Sequence, residues 1–111
     1  MQKTLIELGF TDKDSQVYVF LATEGPKKAK DITEALNLHS SQLYYTLKKL
    51  QSINMVNGSS EHPARFSAVI FEKVLELLIE TKKEQHKSLS ARKEELLSNW
   101  RSITEKDDDE S

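Results

Sequence analysis

Apolar residues in the middle of the chain follow a helical spacing that is interrupted once. One apolar edge runs through residues 32–36, residues 37–39 interrupt it, and it resumes at spacings of four and three through Leu43, Leu47 and Leu50. Such spacing places the apolar side chains on one face of each of two helices. The pattern therefore predicts a helix, a three-residue turn and a second helix.

The pattern becomes shorter and flatter after this second helix. Residues 55–57 are expected to form a strand, residues 58–62 a polar turn and residues 64–68 the returning strand. A hairpin that directly follows a helix-turn-helix is the wing of a winged helix. The predicted fold class is therefore mainly α with a small β-hairpin wing, a winged helix-turn-helix followed by a long C-terminal dimerisation helix.

Two further helices are predicted before this motif. The first covers residues 2–8 and ends at a glycine. The second begins with Thr11 and Asp14, a spacing at which both side chains can cap free backbone amides. It ends near Thr23, because the proline that follows cannot continue a helix.

A long helix is predicted from about residue 70 to residue 103, where there is neither glycine nor proline. At 1.5 Å per residue it would be about 50 Å long, too long for its own small domain to cover. Its seam positions alternate at spacings of four and three, the heptad rule of a coiled coil. They are Leu75, Ile79, Lys82, His86, Leu89, Lys93, Leu96, Trp100 and Ile103. Pairing of two copies into a homodimer is therefore expected.

Polar residues loosen the middle of this seam. Lys82, His86 and Lys93 occupy positions where a zipper prefers hydrocarbon, so the firm contacts are expected at Leu89 and at residues 96–103. A histidine there is either a seam residue that fixes register or a pH switch, and the first interpretation is favoured. The seam tryptophan is likewise interpreted as a packing residue rather than as the wall of a ligand pocket.

These elements divide the chain into three parts. They are a winged helix-turn-helix over residues 1–68, a dimerisation helix over residues 69–104, and an acidic tail over residues 105–111 that is expected to be disordered. The net charge is −2, but residues 1–67 hold eight basic and seven acidic residues, and the acidity lies in the C-terminal third. The tail either solvates a frayed end or covers a basic surface.

The composition excludes several classes of function. There is no cysteine, so disulfides and thiolate chemistry are absent and a reducing cytoplasm is the expected location. No apolar run approaches the roughly 20 residues of a membrane span, so no membrane partner is expected. His39, His62 and His86 are isolated from one another, and no phosphate loop or activated nucleophile is evident. Neither an enzyme, a metal site nor a cofactor is therefore predicted.

The second helix of the motif, about residues 40–53, carries polar groups opposite its leucines. Hydroxyls, an amide, a phenol and ammonium groups suit groove edges and phosphates, so double-stranded DNA is the expected partner. The candidate contacts are Ser40, Ser41, Gln42, Tyr45, Lys48 and Lys49 on the helix, His62 and Arg65 on the wing, and Lys28 and Lys30 before the motif.

Each part of this surface has a second interpretation. The lysines before the motif could equally be a solvated loop, and the wing could be an ordinary surface hairpin. The near-neutral charge also favours a protein–protein docking module, which remains the alternative function.

Taken together, the chain resembles the TrmB-like transcription regulators, a family best known from archaea. The resemblance extends from Leu5 to the start of the long helix. Its motifs are Leu8-Gly9-Phe10-Thr11, Val17-Tyr18, Ala29-Lys30-Asp31-Ile32, Leu43-Tyr44-x-x-Leu47-x-x-Leu50 and Pro63-Ala64-Arg65-Phe66-x-Ala68. The resemblance implies a promoter-binding dimer whose second motif helix enters the major groove.

Three features depart from the family pattern. Lys28 stands where members commonly place a hydroxyl residue, so capping of the next helix is expected to be weaker or to come from another residue. Ser41 and Gln42 stand where many members carry an arginine, which favours readout by hydrogen bonds. Larger members continue into a sugar-sensing domain, whereas this sequence stops after its long helix. A response to sugars is therefore not expected, and any small-molecule effector is unknown.

Overall fold

The computed structural model describes the backbone of residues 1–109 and the side chains of residues 1–105. The elements in chain order are α1 (Gln2–Glu7), α2 (Asp12–Glu24), β1 (Lys27–Lys28), α3 (Ala29–Leu36), α4 (Ser40–Ser52), β2 (Val56–Gly58), β3 (Arg65–Ala68), α5 (Phe71–Ala91) and α6 (Lys93–Asp109). They form two compact units, Met1–Val74 and the part from Leu75 onward. The winged helix-turn-helix predicted from the sequence is confirmed in the first unit.

Helix α2 begins with the capping pair that the sequence predicts. The Asp14 backbone N–H donates to Thr11 Oγ1, and the Thr11 backbone N–H donates to Asp14 Oδ2, both at 3.1 Å. At the other end Gly25 adopts a φ of 84°, a conformation that favours glycine, and its N–H donates to the carbonyl of Leu21. Both ends of α2 are therefore fixed by local hydrogen bonds.

The helix-turn-helix consists of α3, a short turn and α4. Asn37 ends α3 in the left-handed conformation with a φ of 53°, which an asparagine tolerates better than most residues. Lys28 occupies the N-cap position of α3 without a side-chain capping bond, as expected from its departure from the family pattern. Leu43, Leu47 and Leu50 of α4 are at most 3% exposed, which confirms the apolar face predicted for this helix.

The wing belongs to a three-stranded antiparallel sheet in the order β1-β3-β2. Strand β2 pairs with β3 from Val56 opposite Ala68 to Gly58 opposite Phe66. Strand β1, which was not predicted, pairs Lys27 with Phe66 on the other edge of β3. A two-residue strand is too short to show alternation in a sequence.

The core of the first unit lies between α1, α2, α3, α4 and the sheet. Its buried apolar side chains are Leu5, Val17, Tyr18, Leu21, Ile32, Leu43, Leu47, Leu50, Met55, Val56 and Val74. The Tyr18 hydroxyl donates to the carbonyl of Val69 at 2.6 Å, and burial raises the pKa of this phenol above its usual value. This hydrogen bond ties α2 to the segment between β3 and α5.

The long helix predicted from residue 70 to residue 103 is divided in two. Helix α5 ends at Ala91 and α6 begins at Lys93, with Arg92 between them. The Arg92 N–H donates to the Ser88 carbonyl at 3.1 Å, its regular α-helical partner, and also to the Leu89 carbonyl at 3.2 Å, a tighter bond of the 3₁₀ type. No glycine or proline marks this position, so the sequence contained no signal for the break.

The second helix also passes the boundary predicted at residue 104, and the disorder expected for the tail stays a prediction. Helix α6 continues through Asp109, so residues 105–109 are helical. No glycine or proline lies between residues 93 and 109 to stop the helix. The last two residues of the predicted tail, 110 and 111, lie outside the described residues.

All nine seam positions predicted for the long helix are exposed in the second unit. Their apolar members include Leu89, Trp100 and Ile103, each more than 60% exposed. Exposed apolar groups at heptad spacing are available for a partner, and homodimerisation stays a prediction. Among the described residues, no helix is both long and apolar enough to cross a membrane.

Candidate nucleic-acid interface

Helix α4 has one face fixed in the core and another open to solvent. Its three leucines anchor it, whereas Tyr44 is 65% exposed and Tyr45 is 73% exposed. Tyrosine combines an apolar ring with a polar hydroxyl, so exposed tyrosines suit contact with a partner. The outer face of α4 is therefore the candidate contact surface of the first unit.

The first turn of α4 presents small polar groups. Ser40 and Ser41 are exposed, and Gln42 is half-buried. The Gln42 amide oxygen accepts a hydrogen bond from the backbone N–H of His39 at 3.2 Å. A glutamine that pairs with adenine through two hydrogen bonds needs that oxygen, so Gln42 must exchange its bond to His39 to make such a contact.

The two lysines of α4 have different environments. The Lys48 ammonium lies 5.4 Å from the centroid of the Tyr44 ring, a cation–π arrangement at the surface. The Lys49 ammonium instead lies 2.6 Å from Asp14 Oδ2 in α2. The charge of Lys49 is therefore paired within the fold, and the expectation that this lysine extends outward to phosphate stays a prediction.

The wing places Arg65 at its exposed edge. The Arg65 backbone N–H donates to Ser59 Oγ and its carbonyl accepts from the Ser59 N–H, both at 2.9 Å, which closes the wing loop. Its guanidinium lies 3.6 Å from a Glu61 carboxylate, and both side chains are more than half exposed. His62, in the same loop, is exposed. An exposed ion pair of this kind is weak and can be exchanged for a phosphate.

The lysines before the motif lie on two different elements. Lys28 is half-buried in β1, and Lys30 is exposed in the first turn of α3. Lys30, Ser40 and Tyr44 line one groove, together with Phe66 of β3. Ser41, Gln42, Tyr45 and Lys49 line another groove, against the start of α2. The candidate residues of α4 are thus divided between its two sides, whereas Arg65 lines a hollow beside the wing.

Sequence reasoning missed Tyr44 as a surface residue. It was noted only as part of a family motif, although it directly follows the buried Leu43. A residue one position along a helix from a buried one is rotated by about 100° and leaves the apolar face. This geometric signal could have identified it.

Within the described residues, no group of three or more histidine, aspartate or glutamate side chains is placed to hold a metal ion. The groups available on this surface are therefore hydroxyls, an amide, phenols and ammonium or guanidinium groups. They can form hydrogen bonds and contact phosphates.

Comparison with known protein families shows the family to which this chain belongs. A family model described as "Sugar-specific transcriptional regulator TrmB" matches residues 5–72, which is more than half of the chain. The chain belongs to the TrmB family. The resemblance stated from the sequence is thereby confirmed, and its two α4 tyrosines lie within the matched region of this TrmB-family protein. Comparison with curated proteins gave no match.

A solved structure supports the fold of this TrmB-family chain. The transcriptional regulator Tm0710 from Thermotoga maritima superimposes with a TM-score of 0.58 at 17% sequence identity. The match covers 96% of this chain and 84% of the Thermotoga chain. At this identity the similarity shows a shared fold.

Proposed function

We propose that this TrmB-family regulator binds double-stranded DNA sequence-specifically as a homodimer. Helix α4 enters the major groove, and the β2–β3 hairpin contacts the flanking backbone or minor groove. The observation that carries the proposal is the two-sided character of α4, with buried leucines on one face and hydroxyl, amide, phenol and ammonium groups, most of them exposed, on the other. A helix of this kind fits the width of the major groove.

Separate groups perform base readout and positioning in this proposal. Ser41, Gln42 and Tyr45 lie toward one side of α4 and read base edges. Ser40, Lys48 and Arg65 contact phosphates, with Lys28, Lys30 and His62 at the periphery of the site. Lys49 is omitted from the phosphate contacts, because its ammonium forms an ion pair with Asp14.

Homodimerisation rests on the second unit. Helices α5 and α6 expose Leu75, Leu89 and Trp100 at seam spacing. Apolar surface removed from water contributes roughly 25 cal/mol per Å², so pairing of two such helices is favourable. A dimer also presents two copies of α4, and their half-sites lie about 10 base pairs apart or a multiple of that distance.

The test is selection of binding sites from random duplexes, followed by titration over a salt series. The wild-type chain is expected to select a two-fold symmetric site and to lose affinity as salt rises. Gln42→Ala should relax the preference at one base pair of each half-site. Lys48→Ala should instead weaken binding to all sequences alike and reduce the salt slope by about 1 for each protomer of the dimer.

A docking module is the competing function, and the exposed tyrosines favour it, since tyrosine is enriched at protein interfaces. The same titration separates the two functions. Salt-independent or absent binding to every duplex would contradict the DNA proposal. Retained capture of a protein partner that Tyr45→Ala abolishes would then establish docking.

A further inference from the structure

One ion pair joins the candidate recognition helix to the start of α2 across 35 positions of sequence. Lys49 Nζ in α4 donates to Asp14 Oδ2 at 2.6 Å. The Asp14 side chain is only 3% exposed, and that of Lys49 is 38% exposed. A carboxylate taken this far out of water needs its partners, because desolvation of a charge is expensive.

Asp14 is also part of the cap of α2, which fixes its position. The same Oδ2 that receives the lysine accepts the backbone N–H of Thr11, and Thr11 Oγ1 accepts the backbone N–H of Asp14. Ser15 Oγ adds a hydrogen bond to the Thr11 carbonyl at 2.9 Å. Lys49 is thus bonded to a carboxylate that is held in place by its own helix end.

Lys49 lies on the same side of α4 as two residues that read bases in the proposed function. Gln42, Tyr45 and Lys49 follow at spacings of three and four, and all three line the groove that faces the start of α2. Rotation or tilt of α4 about its buried leucines would move all three side chains together. The ion pair restrains that motion at the third turn.

We propose that the Lys49–Asp14 ion pair is a positioning device that sets the angle at which α4 presents Gln42 and Tyr45 to DNA. Lys49 is therefore a positioning residue and not a phosphate contact. A buried ion pair gives weak evidence for stability, and its better-supported use is to fix one arrangement among several. The inference rests on the proposed DNA-binding function.

The experiment compares Lys49→Met with Lys48→Met, which removes the adjacent ammonium from the same helix. Specific and scrambled duplexes are titrated with full-length protein over a salt series. Lys49→Met is expected to reduce the ratio of specific to nonspecific affinity about tenfold and to leave the salt slope unchanged. A tenfold change lies in the range of interaction free energies measured between residues in contact. Lys48→Met should reduce the slope by about 1 for each protomer.

Two further variants separate positioning from a loss of folding. Lys49→Arg keeps a charged donor for Asp14 and should retain most of the specificity. The double variant Asp14→Asn with Lys49→Met leaves no buried charge unpaired, and the asparagine oxygen can still accept the Thr11 N–H. It should fold, as monitored by circular dichroism, with the wild-type salt slope and with its specificity reduced as in Lys49→Met.

The outcomes distinguish this inference from the proposed function. A salt slope reduced by about 1 for each protomer in Lys49→Met would make Lys49 a phosphate contact and overturn the inference. Unchanged specificity in the folded double variant would overturn it as well. Absence of salt-dependent binding by the wild-type chain would overturn the proposed function and this inference together.

Discussion

The two units of this chain differ in how far their apolar side chains are buried. In Met1–Val74, eleven apolar side chains are buried among five helices and a sheet. From Leu75 onward, the apolar seam residues remain exposed along α5 and α6. The first unit therefore has a core of its own, whereas none of the side chains described from Leu75 onward is buried. The first unit folds around its own core, and the second leaves its apolar seam for the proposed partner helix.

The largest effect is expected from a leucine in the core of the first unit. Leu50 in α4 is fully buried. Leu50→Ala should therefore lower the free energy of unfolding by about 2 to 5 kcal/mol. Leu77→Ala, at a partly exposed leucine of α5, should cost less than about 1 kcal/mol. Urea denaturation followed by circular dichroism measures both. Equal costs would remove the contrast between the units.

The second prediction concerns the exposed seam. Trp100→Asp should weaken the dimer at least roughly 30-fold, because buried aromatic residues dominate interface energies. Ser98→Asp adds the same charge at an exposed position off the seam and should leave the dimer intact. Sedimentation equilibrium over a concentration series measures the dissociation constant. A wild-type chain that stays monomeric at tens of micromolar would contradict the homodimer.

A smaller effect is expected from the buried phenol of the first unit. Tyr18→Phe removes the hydrogen bond to the Val69 carbonyl and should cost about 1 kcal/mol. Because burial raises the pKa of Tyr18, the unfolded phenol ionises first as pH rises. The unfolded state then binds fewer protons, so this contribution to stability is complete below about pH 10 and declines above it.

The comparison of wild type with Tyr18→Phe isolates the titration of the Tyr18 phenol. Unfolding free energies of wild type and Tyr18→Phe are measured from pH 7 to pH 11. The difference between them should shrink above about pH 10. A constant difference over this range would show that the pKa of the Tyr18 phenol is the same in the folded and unfolded states.

The smallest effect is expected at the junction of α5 and α6. Arg92 lies 3.3 Å from a Glu95 carboxylate, but both side chains are more than half exposed. Glu95→Gln should therefore change the unfolding free energy by less than about 1 kcal/mol. The same denaturation series detects it, and a larger loss would show that this junction is covered in the assembled protein.

The fold of the first unit was largely predictable because its signals are local. The leucines of α4 recur at helical spacing, and Thr11 and Asp14 lie within one turn of each other. Strand β1 was not predicted, because two residues are too few to show an alternation of apolar and polar positions. Its pairing with β3 also depends on residues far away in the sequence. Long-range pairing of short strands leaves little trace in a sequence.

The candidate site was predictable in its residue types and less so in its contacts. The polar face of α4 followed from its leucines. The partner of Lys49 did not, because Asp14 lies 35 positions earlier and was assigned only a capping role. The exchangeable bond of Gln42 to His39 depends on side-chain geometry that periodicity does not encode.

The strand order of the small sheet has a consequence for solubility. Strand β3 lies in the middle, covered by β1 on one side and β2 on the other. The outer edges belong to strands of only two and three residues. Short edges offer few unpaired backbone groups to a strand from another molecule. The small sheet of this protein therefore offers little template for strand-to-strand aggregation at high concentration.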